Sequence, residues 1–326
     1  MATIYEVAAL AGVSPATVSR VFNSLPVSEE KTRRVREAAA RLAFTPNKTA
    51  RRLRNHTSEV IALLIPDIEN PFFTALARGV EDRAQQAGYS VVLCNTDDDP
   101  AKEVRYLSIA SSEHMAGVIL APSSDEVDLS AMARLGRPVV AVDRSMPYPV
   151  DAVKVDNRSA GIDAATALFD AGYRRVACIA GPAGIETSEE RLIGWREVVA
   201  RRGDGADHPE YLQHANYRVD GGREAMSALL ALELPPDAVM TTNNLMAVGA
   251  LQVLDEAGFA PGEFGVAVVG ELPFVTFAST AIVQIELPAR HLGETAAELL
   301  FDRIGGDAQP PRTVVLRARL ATPGSP

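Results

Sequence analysis

Hydrophobic positions follow two different rhythms along the chain. Up to about residue 42 they recur at helical spacing in short blocks. Thr3-x-x-Glu6 has the form of a capping box, in which a hydroxyl and a carboxylate satisfy free backbone N–H groups. It predicts a helix with Ile4, Val7, Ala8 and Ala11 on one face. Gly12 permits the reversal that ends it. Ser14 can cap a second helix, and Pro15 fits its first position, where a missing N–H costs nothing. That helix, running to about Asn23, turns Val18, Val21 and Phe22 inward and Ala16, Thr17, Ser19 and Arg20 outward. Ser28, followed by Glu29 and Glu30, opens a third helix with Val35, Ala38 and Leu42 on its apolar face.

From Ser58 the rhythm becomes strand, helix, strand, helix. Val60–Ile65, Ser90–Cys94, Gly117–Leu120 and Val139–Val142 are short runs rich in Val, Ile and Leu, with helices expected between them at Phe72–Ala87 and Lys102–Ser112. Beyond about Asp156 the alternation repeats. Strands fit Arg175–Ile179, Ala238–Thr241 and Val266–Val269. Helices fit Ser159–Ala171, Glu189–Arg202, Gly221–Leu230 and Met246–Ala257. Gln86-Ala-Gly-Tyr89 and Asp170-Ala-Gly-Tyr173 mark corresponding helix ends in the two stretches. The pattern implies an α/β core of two similar halves, each a doubly wound parallel sheet covered on both faces. Ligands sit beyond the carboxyl ends of such strands, so two facing halves make a cleft.

Charge separates the small helical unit from this core. The chain of 326 residues carries a formal net charge of −10, but residues 1–56 sum to +6 and the remainder to −16. A basic module on an acidic body suggests that the module alone meets phosphate. Two short helices about a Gly turn, closed by a third, form the helix-turn-helix pattern. Short side chains with one Arg on the second helix suit a major groove, where Arg can pair with a guanine edge.

Several classes are disfavoured. The longest apolar run is Val60–Ile65, too short to span a membrane. The N-terminus lacks the basic-then-apolar order of a secretory signal, so a cytoplasmic location is expected. Cys94 and Cys178 lie in apolar stretches and form no Cys-x-x-Cys, so buried free thiols are expected. The five His show no metal-binding spacing, no cofactor is called for, and neither a P-loop nor a Gly-x-Ser-x-Gly elbow appears. Asp97-Asp-Asp99 before Pro100 reads as a capped helix start. An enzyme or a cytosolic solute-binding protein on the same α/β core are the alternatives to a DNA-binding regulator.

The stretch Ile4-Tyr-Glu-Val-Ala-Ala-Leu-Ala-Gly-Val-Ser-Pro-Ala-Thr-Val-Ser-Arg-Val-Phe-Asn23 resembles the headpiece of the lactose-repressor/galactose-repressor (LacI/GalR) family of bacterial transcription regulators. Val27-Ser28-x-x-Lys31-Thr32-Arg33 and Pro46-Asn47-x-x-Ala50-Arg51-x-Leu53-Arg54 continue the likeness. Further matches are Pro66-Asp-Ile-Glu-Asn-Pro-Phe-Phe73, Val142-Asp-Arg144, Arg191-x-x-Gly194-Trp195 and Asn243-Asn-Leu-Met-Ala-Val-Gly249, so the resemblance spans nearly the whole chain. It implies a headpiece over 1–46, a hinge over 47–57, and a periplasmic-binding-protein-like core over 58–326. Crossings between the core halves are expected near Asp156, Ile285 and Pro310. They divide the core into 58–156 with 286–310, and 157–285 with 311–326.

The resemblance also implies partners and roles: a homodimer, a near-palindromic double-stranded operator, and a small-molecule effector that is sugar-derived, phosphorylated or nucleoside-like. Pro15, Ala16 and Arg20 occupy base-reading positions, while Thr17, Ser19 and Asn23 serve phosphates. Ala50, Arg51 and Leu53 belong to a hinge helix for the minor groove, with Leu53 as the wedge that kinks the duplex. Alone, two helical turns with Lys48, Arg51, Arg52 and Arg54 are marginal in water, so the segment is expected to order on DNA. Effector contacts fall to Phe73, Asp143, Arg191, Trp195, Tyr217, Asn243, Asn244 and Glu271, although packing is the role expected first of Trp195. Two departures stand out. The family's Asn-Asp motif reads Asn243-Asn244, and its Gly-aromatic-Asp-Asp reads Gly270-Glu271-Leu272-Pro273. Leu272 cannot grip a diol, which argues against an ordinary free sugar, and Glu271 would point elsewhere if the local backbone is kept.

Overall fold

The computed structural model describes residues 2–22, 26–44, 58–124, 127–202, 208–260, 262–272 and 282–321. The chain divides into two compact units, Met1–Thr57 and Ser58–Pro326.

The small unit holds α1 (Ile4–Ala11), α2 (Pro15–Phe22) and α3 (Glu29–Arg41). The capping box of α1 is formed on both sides, and Gly12 ends the helix in the left-handed region at φ 61°. The Ser14 hydroxyl accepts from the Thr17 N–H at 3.2 Å and so caps α2. Ser28 makes no such side-chain bond at the start of α3. Val7, Ala8, Ala11, Val18, Val21, Val35, Ala38 and Ala39 form the core of this unit. Arg34 of α3 donates to the Ala11 and Gly12 carbonyls, closing the end of α1.

The core begins with β1 (Val60–Ile65), α4 (Pro71–Gln86), β2 (Ser90–Asn95), α5 (Pro100–Ser112), β3 (Val118–Leu120), α6 (Ser130–Arg134), β4 (Val139–Val142) and β5 (Asp151–Val155). It continues with α7 (Asn157–Asp170), β6 (Val176–Ala180), α8 (Glu186–Arg202), β7 (Leu212–His214), α9 (Val219–Leu230), β8 (Ala238–Thr241), α10 (Asn244–Glu256) and β9 (Gly265–Val269). Then come β10 (Ile282–Glu286), α11 (Ala289–Ile304), β11 (Thr313–Leu316) and β12 (Arg319–Leu320).

One sheet has the order β11-β5-β4-β3-β1-β2, the other β12-β10-β9-β8-β6-β7. All pairs are parallel except β10 with β12. The central strands β1, β4, β6, β8 and β9 are apolar runs buried on both faces, as a helix-covered parallel sheet requires. The chain passes from the first half to the second after β5 and returns after β10. The third crossing corrects the expectation at Pro310. Thr313–Leu316 still pairs with Ala152–Val155 in the first sheet, so the chain crosses only between Leu316 and Arg319. β11 lies at the sheet edge with alternate positions exposed, and so lacks the continuous apolar run that identifies a buried strand.

Three helix pairs approach through reciprocal glycines. A Cβ on Gly79 of α4 would stand 2.1 Å from the Arg290 carbonyl oxygen, and one on Gly293 of α11 2.1 Å from that of Leu76. Gly161 and Gly194 play the same parts between α7 and α8, against the carbonyls of Arg191 and Arg158. Gly222 and Gly249 do so between α9 and α10, against Met246 and Val219. Side chains larger than hydrogen at these six positions would force the backbones apart.

Candidate effector cleft and DNA-reading helix

In the small unit, α2 leaves Ala16 and Arg20 exposed and Pro15, Thr17 and Ser19 partly exposed, while Val18 and Val21 anchor it. An exposed Arg on a helix of otherwise short outer side chains has the form that major-groove reading needs. Asn23, Ala50, Arg51 and Leu53, with the expected hinge helix, lie outside the described residues.

In the core, a cavity of about 480 Å³ opens between the halves at the carboxyl ends of the strands. On the first-half side, Asn70 caps α4 by accepting from the Phe72 N–H at 3.0 Å, and Pro71 occupies the first helical position. This start delivers Phe72 and Phe73 to the cavity with their rings edge to face, centroids 5.0 Å apart. Asp143 follows β4 in the left-handed region, at φ 69°. Its carboxyl is buried, and burial pushes its pKa up against the opposing pull of Arg144 and Arg191. Arg144, also buried, donates through Nη1 to Asp98 at 2.8 Å and to the Pro122 carbonyl at 3.0 Å.

On the second-half side, α8 presents Arg191, which is only 5% exposed. Its Nε donates to Asn157 at 2.8 Å and its Nη1 to the Thr242 carbonyl; Nη2 has no partner among the described residues. Burial pulls the guanidinium pKa down. Tyr217 sits at φ 63° and reaches Thr187 through its hydroxyl at 3.2 Å. Its ring lies against Gly181, where a Cβ would come within 2.2 Å. Asn243 caps α10 by accepting from the Met246 N–H at 2.8 Å and donates to the Tyr217 carbonyl at 2.9 Å. Asn244 donates across the cleft to Asn70 at 3.3 Å, and to the Glu271 carbonyl at 3.1 Å. Glu271 lines the cavity from an exposed position, and Leu272 turns into the second-half core. A second cross-half tie joins Ser145 and Lys154 to Glu186 at the start of α8.

Seven of the eight expected effector contacts therefore line one cavity: Phe73, Asp143, Arg191, Tyr217, Asn243, Asn244 and Glu271. Trp195 does not line it. Its indole N–H donates to the Val176 carbonyl at 3.2 Å and its ring packs in the core, so the structure gives it the packing role. Asn70, Phe72, Arg144 and Thr187 also line the cavity and were not singled out by sequence. Each carried a readable signal: Asn70 precedes a helix-starting Pro, Phe72 adjoins Phe73, Arg144 adjoins Asp143, and Thr187 lies one turn before Arg191. The thiols of Cys94 and Cys178 are free and buried. Among the described residues no group of three or more His, Cys, Asp or Glu could hold a metal ion, and no helix is long and apolar enough to cross a membrane.

Comparison with known proteins gives the same picture. Residues 3–47 match the profile of "Bacterial regulatory proteins, lacI family", and residues 58–322 that of "Periplasmic binding proteins and sugar binding domain of LacI family". The ribose operon repressor of Escherichia coli (strain K12) is 36% identical over 311 residues, covering 93% of each chain. A transcriptional regulator CelR–cellobiose complex superposes with a TM-score of 0.73 at 28% identity, covering 99% of each chain. The lac repressor dimer bound to operator and anti-inducer shares the fold, at a TM-score of 0.86 and 23% identity over 98% of each chain. With a helix-turn-helix unit that exposes Arg20 and a two-half core that holds a cleft lined by aromatic and charged side chains, the chain belongs to the LacI family of bacterial regulatory proteins and is an effector-responsive transcriptional regulator.

Proposed function

We propose that the protein is a homodimeric repressor of the bacterial cytoplasm that releases or engages a near-palindromic operator according to whether a small molecule fills the cleft. Pro15, Ala16 and Arg20 read bases, while Thr17, Ser19 and Asn23 hold phosphates. Ala50, Arg51 and Leu53 act in the minor groove. Paired headpieces match the two-fold symmetry of DNA. Support for the dimer comes from β2, an edge strand that exposes Val92 and Leu93, and from α5, which follows it in the chain and exposes Val104 and Ile109.

The observation that carries the effector reading is Arg191: a buried guanidinium at the cavity wall with Nη2 unpartnered among the described residues. Nη2 keeps its access to the cavity, where an incoming acceptor can complete the hydrogen bonds of the guanidinium. Phe73 and Tyr217 offer ring faces, and Asp143 offers an acceptor for hydroxyls. A thermal-shift screen of the full chain against sugars, sugar phosphates and nucleosides tests this. At least one compound is expected to raise the unfolding midpoint, since a ligand of the folded cleft stabilises it by mass action. The same compound should change operator affinity. A stabilising compound whose effect survives Arg191→Gln unchanged would contradict the assignment.

A further inference from the structure

The charged groups at the cavity are unevenly divided between its walls. The second half contributes Arg191 and Arg218 against a single carboxylate, the exposed Glu271. The first half contributes Asp67, Asp98 and Asp143 against Arg144 and Arg290. Residues 273–281 add no ionisable group by sequence. The second-half amides are already committed: Asn243 to Met246 and Tyr217, and Asn244 to Leu245, Asn70 and Glu271. Leu272 faces the core. Among the described residues the one charged group this wall offers a ligand deep in the cavity is the donor fork of Arg191, through Nη2, beside the Thr187 and Tyr217 hydroxyls. The opposite wall offers an acceptor. The buried Asp143 carboxylate receives no hydrogen bond from the described residues, and its nearest cation, Arg144 Nε, stands 3.6 Å away without an acceptor of its own.

A neutral diol laid on the second-half wall meets, among the described residues, side-chain amides already committed to the protein and no buried carboxylate to take its hydroxyl hydrogens. An anionic group brings only acceptors, and the planar fork of Arg suits its oxygens. We infer, on the reading of this cleft as the effector site, that the effector is a small polyhydroxylated acid. Its carboxylate or phosphate meets Arg191, and a hydroxyl at the other end donates to Asp143. A cavity of about 480 Å³ has room for a monosaccharide skeleton with such a group.

The test is calorimetry on the full chain with two matched pairs, D-ribose with D-ribose 5-phosphate and D-glucose with D-gluconate. In at least one pair the acid is expected to bind tenfold or more tightly than its neutral parent. The pair that responds separates phosphate from carboxylate. Arg191→Gln should erase that margin. Asp143→Asn keeps shape and removes the competing negative charge, so it should widen the margin and keeps the test open if the buried Arg191 variant misfolds. Neutral members binding as well as or better than their acids in both pairs would overturn the acid assignment and leave the effector cleft standing. Absence of binding by all four would overturn the acid assignment, while the cleft itself is decided by the broader thermal-shift screen.

Discussion

Arg20 is the one cationic side chain of α2, and it is exposed. Replacing it with Ala is expected to flatten the ranking of operator variants and to cost about 1–3 kcal/mol per half-site. Competition binding against single-base operator variants reads this directly; an unchanged ranking would remove the base-reading role. In the cleft, Gly181 gives the Tyr217 ring its place, since a Cβ there would collide with the ring at 2.2 Å. Gly181→Ala is expected to weaken effector binding at least tenfold with little change in operator affinity in the absence of effector. Calorimetry beside operator titration separates the two. Arg191, Asp143 and Tyr217 were legible because motif positions place them after strands or on a helix face. Arg34 was not. It read as one basic residue among many on α3, but its guanidinium is committed to the Ala11 and Gly12 carbonyls. Sequence spacing alone does not reveal a contact 22 or 23 residues distant.

At the level of elements, the legible strands were those buried on both faces. β5 escaped notice because Asp151 and Lys154 interrupt its apolar run. Both have partners: Asp151 pairs with Arg303 of α11 and accepts from the Arg312 N–H, and Lys154 pairs with Glu186. β7, β10, β11 and β12 are partly exposed or lie at edges, so their sequences carry no unbroken hydrophobic signature. Burial favours protonation of Asp151, but the bonds from Arg303 and Arg312 outweigh it and hold the carboxyl below the usual carboxylate range. A depressed folded value means that the pair's contribution is complete at neutral pH. It begins to fade below about pH 4 and is lost as pH drops through the folded value. Asp151→Asn is therefore expected to lower stability by about 3 kcal/mol at pH 7 and to change it much less near pH 2.5, measured by denaturant unfolding at both values. The glycine pairs carry a second expectation at this scale. Gly161→Ala would press on the Arg191 carbonyl, so it should destabilise the core by about 1–3 kcal/mol. It should also blunt effector binding, because α7 and α8 together hold Arg191 through Asn157. Calorimetric melting with and without effector checks both effects.

As a whole, the molecule carries a basic reading unit and an acidic sensing core in one chain. Residues 1–56 carry +6 and the remainder −16, so attraction to DNA should reside in the first unit. If the exposed apolar positions of β2 and α5 meet their copies in a partner, Val104→Asp should shift the sedimenting species from dimer to monomer at micromolar concentration. It should also weaken operator binding, because each half-site then binds alone. Operator recognition is read by selection of double-stranded DNA from a random library with the full chain, followed by anisotropy titration of the enriched sequence at several salt concentrations. The expected result is a near-palindromic sequence, affinity that falls steeply as salt rises, and loss of the preference in Arg20→Ala. Recovery of no preferred sequence, or of one that Arg20→Ala binds with undiminished preference, would contradict it.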